Sequence, residues 1–217
     1  MRVLAISFLF IAWQAASTAS ADIIVAGNVV NPVNFGAAVN QNIWRAQTFT
    51  PSVSGLLTTI ELQIGHGTGG NPTDDLTIEL VQLDTNGLPD QGNVLATRVL
   101  NESDVPDNSF PVTFTSIDFS ADGINLTAGQ QLGIVASSLT GSTPNWYVWS
   151  TSRTDDYAGG STAFRAPITG SWDFPTTSVD SGFRVFVSDG TSIPEPSSAL
   201  LIGLMLGGFV AFRRFRK

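Results

Sequence analysis

The 217-residue chain contains no cysteine. That absence excludes disulfide bracing, thiol catalysis, CxxC redox chemistry and cysteine metal sites. Histidine occurs once, at His66, too few for a conventional zinc site with an open position. Its setting, Gly65-His66-Gly67-Thr68-Gly69-Gly70, lacks the lysine and the following helix of a phosphate-cradling loop and reads as a hairpin loop. No serine stands in a G-x-S-x-G elbow. Lysine is missing from the whole middle of the chain. Between residues 22 and 192 lie five of the ten basic residues and 17 of the 18 acidic ones, a balance of −12. Such a body has no positive field to attract phosphates, which excludes nucleic acid and anionic membrane surfaces as partners. Helical periodicity is also missing from this middle region.

What the chain does have is concentrated first at its ends. Arg2 supplies a positive n-region, Val3 to Ala12 an apolar h-region, and Ala19-Ser20-Ala21 an A-x-A cleavage site before Asp22. These predict a signal peptide over residues 1–21, removed by signal peptidase on export. At the other end Ile193-Pro194-Glu195-Pro196 precedes an uncharged run from Ser197 to Phe212, followed by Arg213-Arg214-Phe215-Arg216-Lys217. A helix over those 16 residues rises roughly 24 Å. An apolar membrane core is about 30 Å thick, so the span is short but serviceable when flanking basic side chains snorkel. Gly203, Gly207 and Gly208 are tolerated in membrane spans and let another helix approach closely. The spacing predicts one transmembrane helix at about 197–212, with Arg213, Arg214, Arg216 and Lys217 as a cytoplasmic membrane stop.

Pro194-Glu195-Pro196, the apolar run and the terminal basic cluster resemble the bacterial PEP-CTERM sorting signal, over about residues 193–217. The resemblance implies recognition by an exosortase, a membrane-embedded cysteine transpeptidase-like enzyme, and processing for the cell surface or extracellular matrix. Pro194, Glu195 and Pro196 are then features read by another enzyme and not catalytic groups of this chain. Two prolines keep the segment extended just outside the membrane, as a peptide lying in a protease cleft must be.

The body, residues 22–192, is of single-domain size and large enough to bury a core without disulfides. It alternates like strands. Leu76, Ile78 and Leu80 share one face, as do Ile60, Leu62 and Ile64, and Phe183 to Val187 repeats the pattern. Further strands are predicted at 45–50, 94–99, 112–119, 131–137 and 146–151, with turns at Asp84-Thr85-Asn86-Gly87 and Ala121-Asp122-Gly123. Residues 22–42 read as an edge strand or a cover over one end. The fold class is all-β, an antiparallel β-sandwich of jelly-roll type. Gln47-Thr48-Phe49-Thr50, Leu57 to Leu62, Leu76 to Leu83 with Asn86-Gly87-Leu88-Pro89, and Leu126-Thr127-Ala128-Gly129-Gln130 are similar to the choice-of-anchor type of surface domain. That resemblance implies a sandwich and carries no activity with it.

Candidate ligand-binding residues are aromatic. Trp146-Tyr147-Val148-Trp149 places Tyr147 and Trp149 on one strand face, and Trp172-Asp173-Phe174 falls in a loop flanked by glycine and proline. Flat aromatics beside carboxylates hold sugars by stacking and by accepting hydroxyl hydrogens, so Trp172, Asp173, Trp149 and Tyr147 are carbohydrate-binding candidates, with core filling as the competing explanation for the strand tryptophans. Asp155-Asp156 and Asp74-Asp75 are acidic pairs in polar surroundings. Calcium needs six to eight oxygen ligands, and neither pair fits an EF-hand loop, so Asp155 and Asp156 are calcium candidates against a plain surface role. No other cofactor is expected. The sequence reads as an exported exosortase substrate, non-catalytic, whose body interacts with exopolysaccharide in a biofilm or matrix. The alternatives are a purely structural surface protein and a polysaccharide-degrading enzyme using two facing carboxylates.

Overall fold

The computed structural model describes residues 22–31, 35–67, 72, 74–107, 113–139, 145–166, 169–176 and 179–188. All of them fall in one compact unit, Asp22–Gly190. The signal peptide, its cleavage residues Ala19 and Ala21, and the segment from Pro194 to Lys217 lie outside the described residues. Among the described residues no helix is long and apolar enough to cross a membrane.

Fourteen strands follow in order: β1 Asp22–Asn28, β2 Gly36–Val39, β3 Trp44–Phe49, β4 Gly55–Leu62, β5 Ile64–His66, β6 Leu76–Leu83, β7 Pro89–Leu100, β8 Thr115–Asp118, β9 Asn125–Leu126, β10 Leu132–Ser137, β11 Tyr147–Ser150, β12 Thr162–Arg165, β13 Trp172–Asp173 and β14 Phe183–Ser188. Two single turns of 3-10 helix, Glu102–Asp104 and Ser120–Asp122, are the helical residues among those described. Strands β1-β14-β4-β8 form one sheet with β9 beside β4, and β13-β12-β3-β10-β6-β7 form a second. A third has the order β2-β11-β5. Every pairing between these strands is antiparallel.

The two larger sheets face each other across one core. Leu57, Ile60 and Leu62 of β4 and Phe183, Val185 and Val187 of β14 join Leu76, Ile78 and Leu80 of β6 with Leu132, Ile134 and Ala136 of β10 in a single cluster. Burying such side chains at about 25 cal/mol per Å² is the main favourable term. The alternation expected in β6 and β14 is what builds this face, since successive side chains leave a strand on opposite sides.

Several expectations are corrected. Ile60, Leu62 and Ile64 are all buried, but not on one strand: the ladder breaks at Gln63, and Ile64 opens β5 in the third sheet. Gln63 is buried, and its Oε1 accepts from Val30 N at 2.8 Å, clamping the chain that follows β1. His66 ends a strand and is buried at 3 % exposure, so the Gly65-His66-Gly67 run is not a hairpin loop there. His66 pairs opposite Tyr147 of β11, and a side chain at Gly67 would collide with the Trp146 indole. The 22–42 region holds an edge strand, β1, against β14, and a second strand, β2.

A polar layer sits inside this apolar frame. Gln47 Oε1 accepts from Ser181 N at 2.8 Å and from Thr162 Oγ1 at 3.0 Å, while its Nε2 donates to Asp180 Oδ1 at 3.2 Å. Asp180 Oδ2 accepts from the amides of Asp156 and Tyr157, both at 2.9 Å. Burial raises the Asp180 carboxyl above its usual range, against the opposing pull of those donors. This layer is a set of satisfied buried groups that fixes the 152–157 loop.

Candidate binding groove on the outer sheet face

The outer face of the six-stranded sheet is floored by small and branched side chains. Ala163 pairs with Ala46, and Ala46 with Val135, so these residues stand in one row on the side away from the core. With Val81 they form a second apolar cluster, against which Leu88 and Trp172 pack. Two hairpins rise over this floor. One is the β6–β7 turn, where Asp84 Oδ1 accepts from Asn86 N at 2.8 Å and Leu88 N at 2.9 Å, and Gly87 takes a φ of 78° that suits glycine. The Leu88 amide first, and Asn86 after it, holds the Asp84 carboxyl below its usual range. The other is the β12–β13 hairpin, in which Trp172 pairs with Arg165.

A break in β7 joins the two. Val94 pairs with Val81 and Asp90 with Gln82, so Gln91, Gly92 and Asn93 are extra residues opposite an unbroken β6. Bulges bend a strand and re-aim side chains. Here Gln91 reaches over the sheet: its Nε2 donates to Glu79 Oε2 at 3.1 Å, and its Oε1 accepts from Arg165 Nη1. Arg165 Nε donates to Gly170 O at 2.8 Å, and the guanidinium lies 5.3 Å from the centre of the Trp44 ring, within cation–π range. Between the hairpins lies a groove of about 510 Å³, lined by Asn86, Gln91, Arg165, Ser171 and Trp172 among others. Among the described residues the buried indole N–H groups of Trp44 and Trp172 have no hydrogen-bond partner.

Of the expected site residues, Trp172 alone lines this groove. It belongs to β13 and not to a loop. Asp173 lies one position along and therefore points to the opposite sheet face, where its Oδ1 accepts from Phe174 N at 2.8 Å. Tyr147 and Trp149 are corrected outright as stacking residues, because both are wholly buried in the core. The alternation that put them on one face was right, and that face points inward. Trp149 Nε1 donates to Gly182 O at 2.9 Å, Tyr147 Oη donates to Asp74 O, and burial raises the Tyr147 hydroxyl pKa.

The acidic pairs do not converge. Asp156 Oδ2 accepts from Thr154 Oγ1 at 2.9 Å and its amide serves Asp180. Among the described residues no three histidine, aspartate or glutamate side chains gather to hold a metal ion. Sequence reasoning missed Trp44, Gln91 and Arg165. Trp44 was within reach, since alternation from Ala46 and Thr48 puts it on the same outer face. The three-residue bulge that brings Gln91 to Arg165 leaves no periodic trace.

The fold defines an all-β body with an open cleft on the outer face of one sheet. A family description, the PEP-CTERM protein-sorting motif, matches residues 192–217. The chain therefore carries a sorting signal that implies export, a membrane-anchored stage and exosortase processing. No curated protein matches the chain.

Proposed function

We propose that the body is a non-catalytic carbohydrate-binding module of jelly-roll-like sandwich form, which attaches an exosortase-sorted surface protein to exopolysaccharide of the matrix. The observation that carries this reading is Trp172 beside Asn86, Ser171 and Arg165 in an open groove of about 510 Å³. A partly exposed indole offers the face on which a pyranose stacks, and the polar groups around it orient hydroxyls. Carboxylate catalysis needs two facing acids. Among the described residues Asp84 is the one acid lining the groove, and its oxygens are directed into its own turn.

The test is affinity electrophoresis of residues 22–190 through gels containing the host exopolysaccharide, with and without calcium. Retardation that Trp172→Ala abolishes while the melting transition persists supports the reading. Free migration in both gels replaces it with a structural surface protein lacking a specific ligand. Retardation that calcium strengthens would bring the acidic loops back as ligands.

A further inference from the structure

The groove says more about its ligand, and the following rests on the carbohydrate reading above. The positive charge of the body comes from five arginines, in a region whose balance is −12. Arg98 meets Asp122, and Arg184 meets Glu61 at 3.4 Å. Arg165 has no acidic partner among the described residues. Neutral acceptors hold it instead, the carbonyl of Gly170 on Nε and the amide of Gln91 on Nη1, with the Trp44 ring centre 5.3 Å from Cζ. Nε and Nη1 are thereby engaged, and among the described residues Nη2 has no hydrogen-bond partner, on a residue that lines the groove. Glu79 is reached only through Gln91, and Asp84 faces its own turn amides.

A guanidinium already oriented by neutral groups loses little freedom when it binds an anion, and charge-assisted hydrogen bonds are the strong ones. We infer that the groove recognises a carboxylate-bearing sugar, a uronic acid unit of a polysaccharide, with its carboxylate on Arg165 Nη2 and its apolar ring face on Trp172. The many other acids of the body do not forbid this. At about 0.15 M salt the Debye length is about 8 Å, so distant surface carboxylates act weakly on one seated at Arg165.

Isothermal titration calorimetry of the full-length chain in detergent micelles tests the assignment. The probes are tetrasaccharides of galacturonate, glucuronate and mannuronate, each paired with its methyl ester, and cellotetraose as a neutral glycan. Methylation removes the charge and keeps the ring, so the ester isolates the Arg165 contact. At least one acid should bind roughly 10- to 100-fold tighter than its ester. Arg165→Gln should erase that ratio, Arg165→Lys should keep part of it, and Trp172→Ala should weaken acid and ester together. Equal affinities within every pair, or a ratio that survives Arg165→Gln, overturns the inference. Should Arg165→Gln melt early, the acid-to-ester ratio of the wild-type protein decides alone. Trp172-dependent binding of cellotetraose without acid preference sinks the uronate assignment and leaves the carbohydrate reading standing. Binding of no probe, acid or neutral, removes both.

Discussion

Trp149 is fully buried and donates its indole N–H to Gly182 O at 2.9 Å, whereas Trp172 packs half-exposed on the outer cluster with no partner for its own N–H. Truncation therefore separates the two. Trp149→Ala should cost about 3–5 kcal/mol, as large core deletions do. Trp172→Ala should cost about half of that or less, because part of its surface is already in water. Denaturant titration of the two variants measures this, and equal losses would contradict the assignment of Trp172 to a binding surface. Asp180 makes a second claim at this scale. Burial raises its carboxyl in the folded state, so the folded protein holds that proton more tightly than the unfolded chain does. Its contribution is thus fully present below the ordinary aspartate pKa and is lost as pH rises through the raised folded value. Asp180→Asn removes the titration and sets an amide N–H₂ toward the Gln47 Nε2 donor or toward the amides of Asp156 and Tyr157. The variant should be less stable than wild type by about 1–3 kcal/mol. Its deficit should be widest in acid and narrow as pH climbs through that window, read from melts at closely spaced pH values.

The extra residues Gln91, Gly92 and Asn93 of β7 are the element on which the groove depends. Without Gln91, Gly92 and Asn93, Asp90 and Val94 become consecutive opposite Gln82 and Val81, and the β6–β7 ladder closes at this point. A shortened chain lacking 91–93 should keep its stability within about 1 kcal/mol, since loop length is thermodynamically cheap. It should still lose polysaccharide retention, because Arg165 loses its Gln91 acceptor. A deletion that melts normally and is retained as before would show that the bulge does not shape the site. The same element shows where the sequence stopped being readable. β6 and β14 declare themselves because one face is apolar at every second residue. β12 and β13, of four and two residues, are too short to show a period, and so Trp172 read as a loop residue. His66 was hidden by its glycine neighbours, whose strand is stabilised by pairing with β11 and not by local preference. The turn at Asp84 was legible from its residues, yet nothing in them says that the hairpin leans over the outer sheet face toward Arg165.

Folding and sorting are carried by separate stretches of sequence. Every residue of the main core, from Val25 to Val187, lies inside the Asp22–Gly190 unit, while the sorting motif occupies residues 192–217. Stability of the body therefore draws on side chains that the motif does not supply, and address draws on a motif that contributes none of the described core. Deleting residues 192–217 should leave the melting temperature of the body within about 2 °C of the full-length chain, because a shift of that size in a domain this large corresponds to less than about 1 kcal/mol. Location should change instead: cell fractionation should move the protein from the membrane to the soluble exported fraction. With its −12 balance the released body should stay dispersed there, as net charge far from zero opposes association. A truncated chain that melts much lower would show that the tail stabilises the body, and one that stays with the membrane would show a second attachment. If it melts unchanged and leaves the membrane, but remains on polysaccharide through Trp172, then the groove alone is sufficient to hold the protein in the matrix.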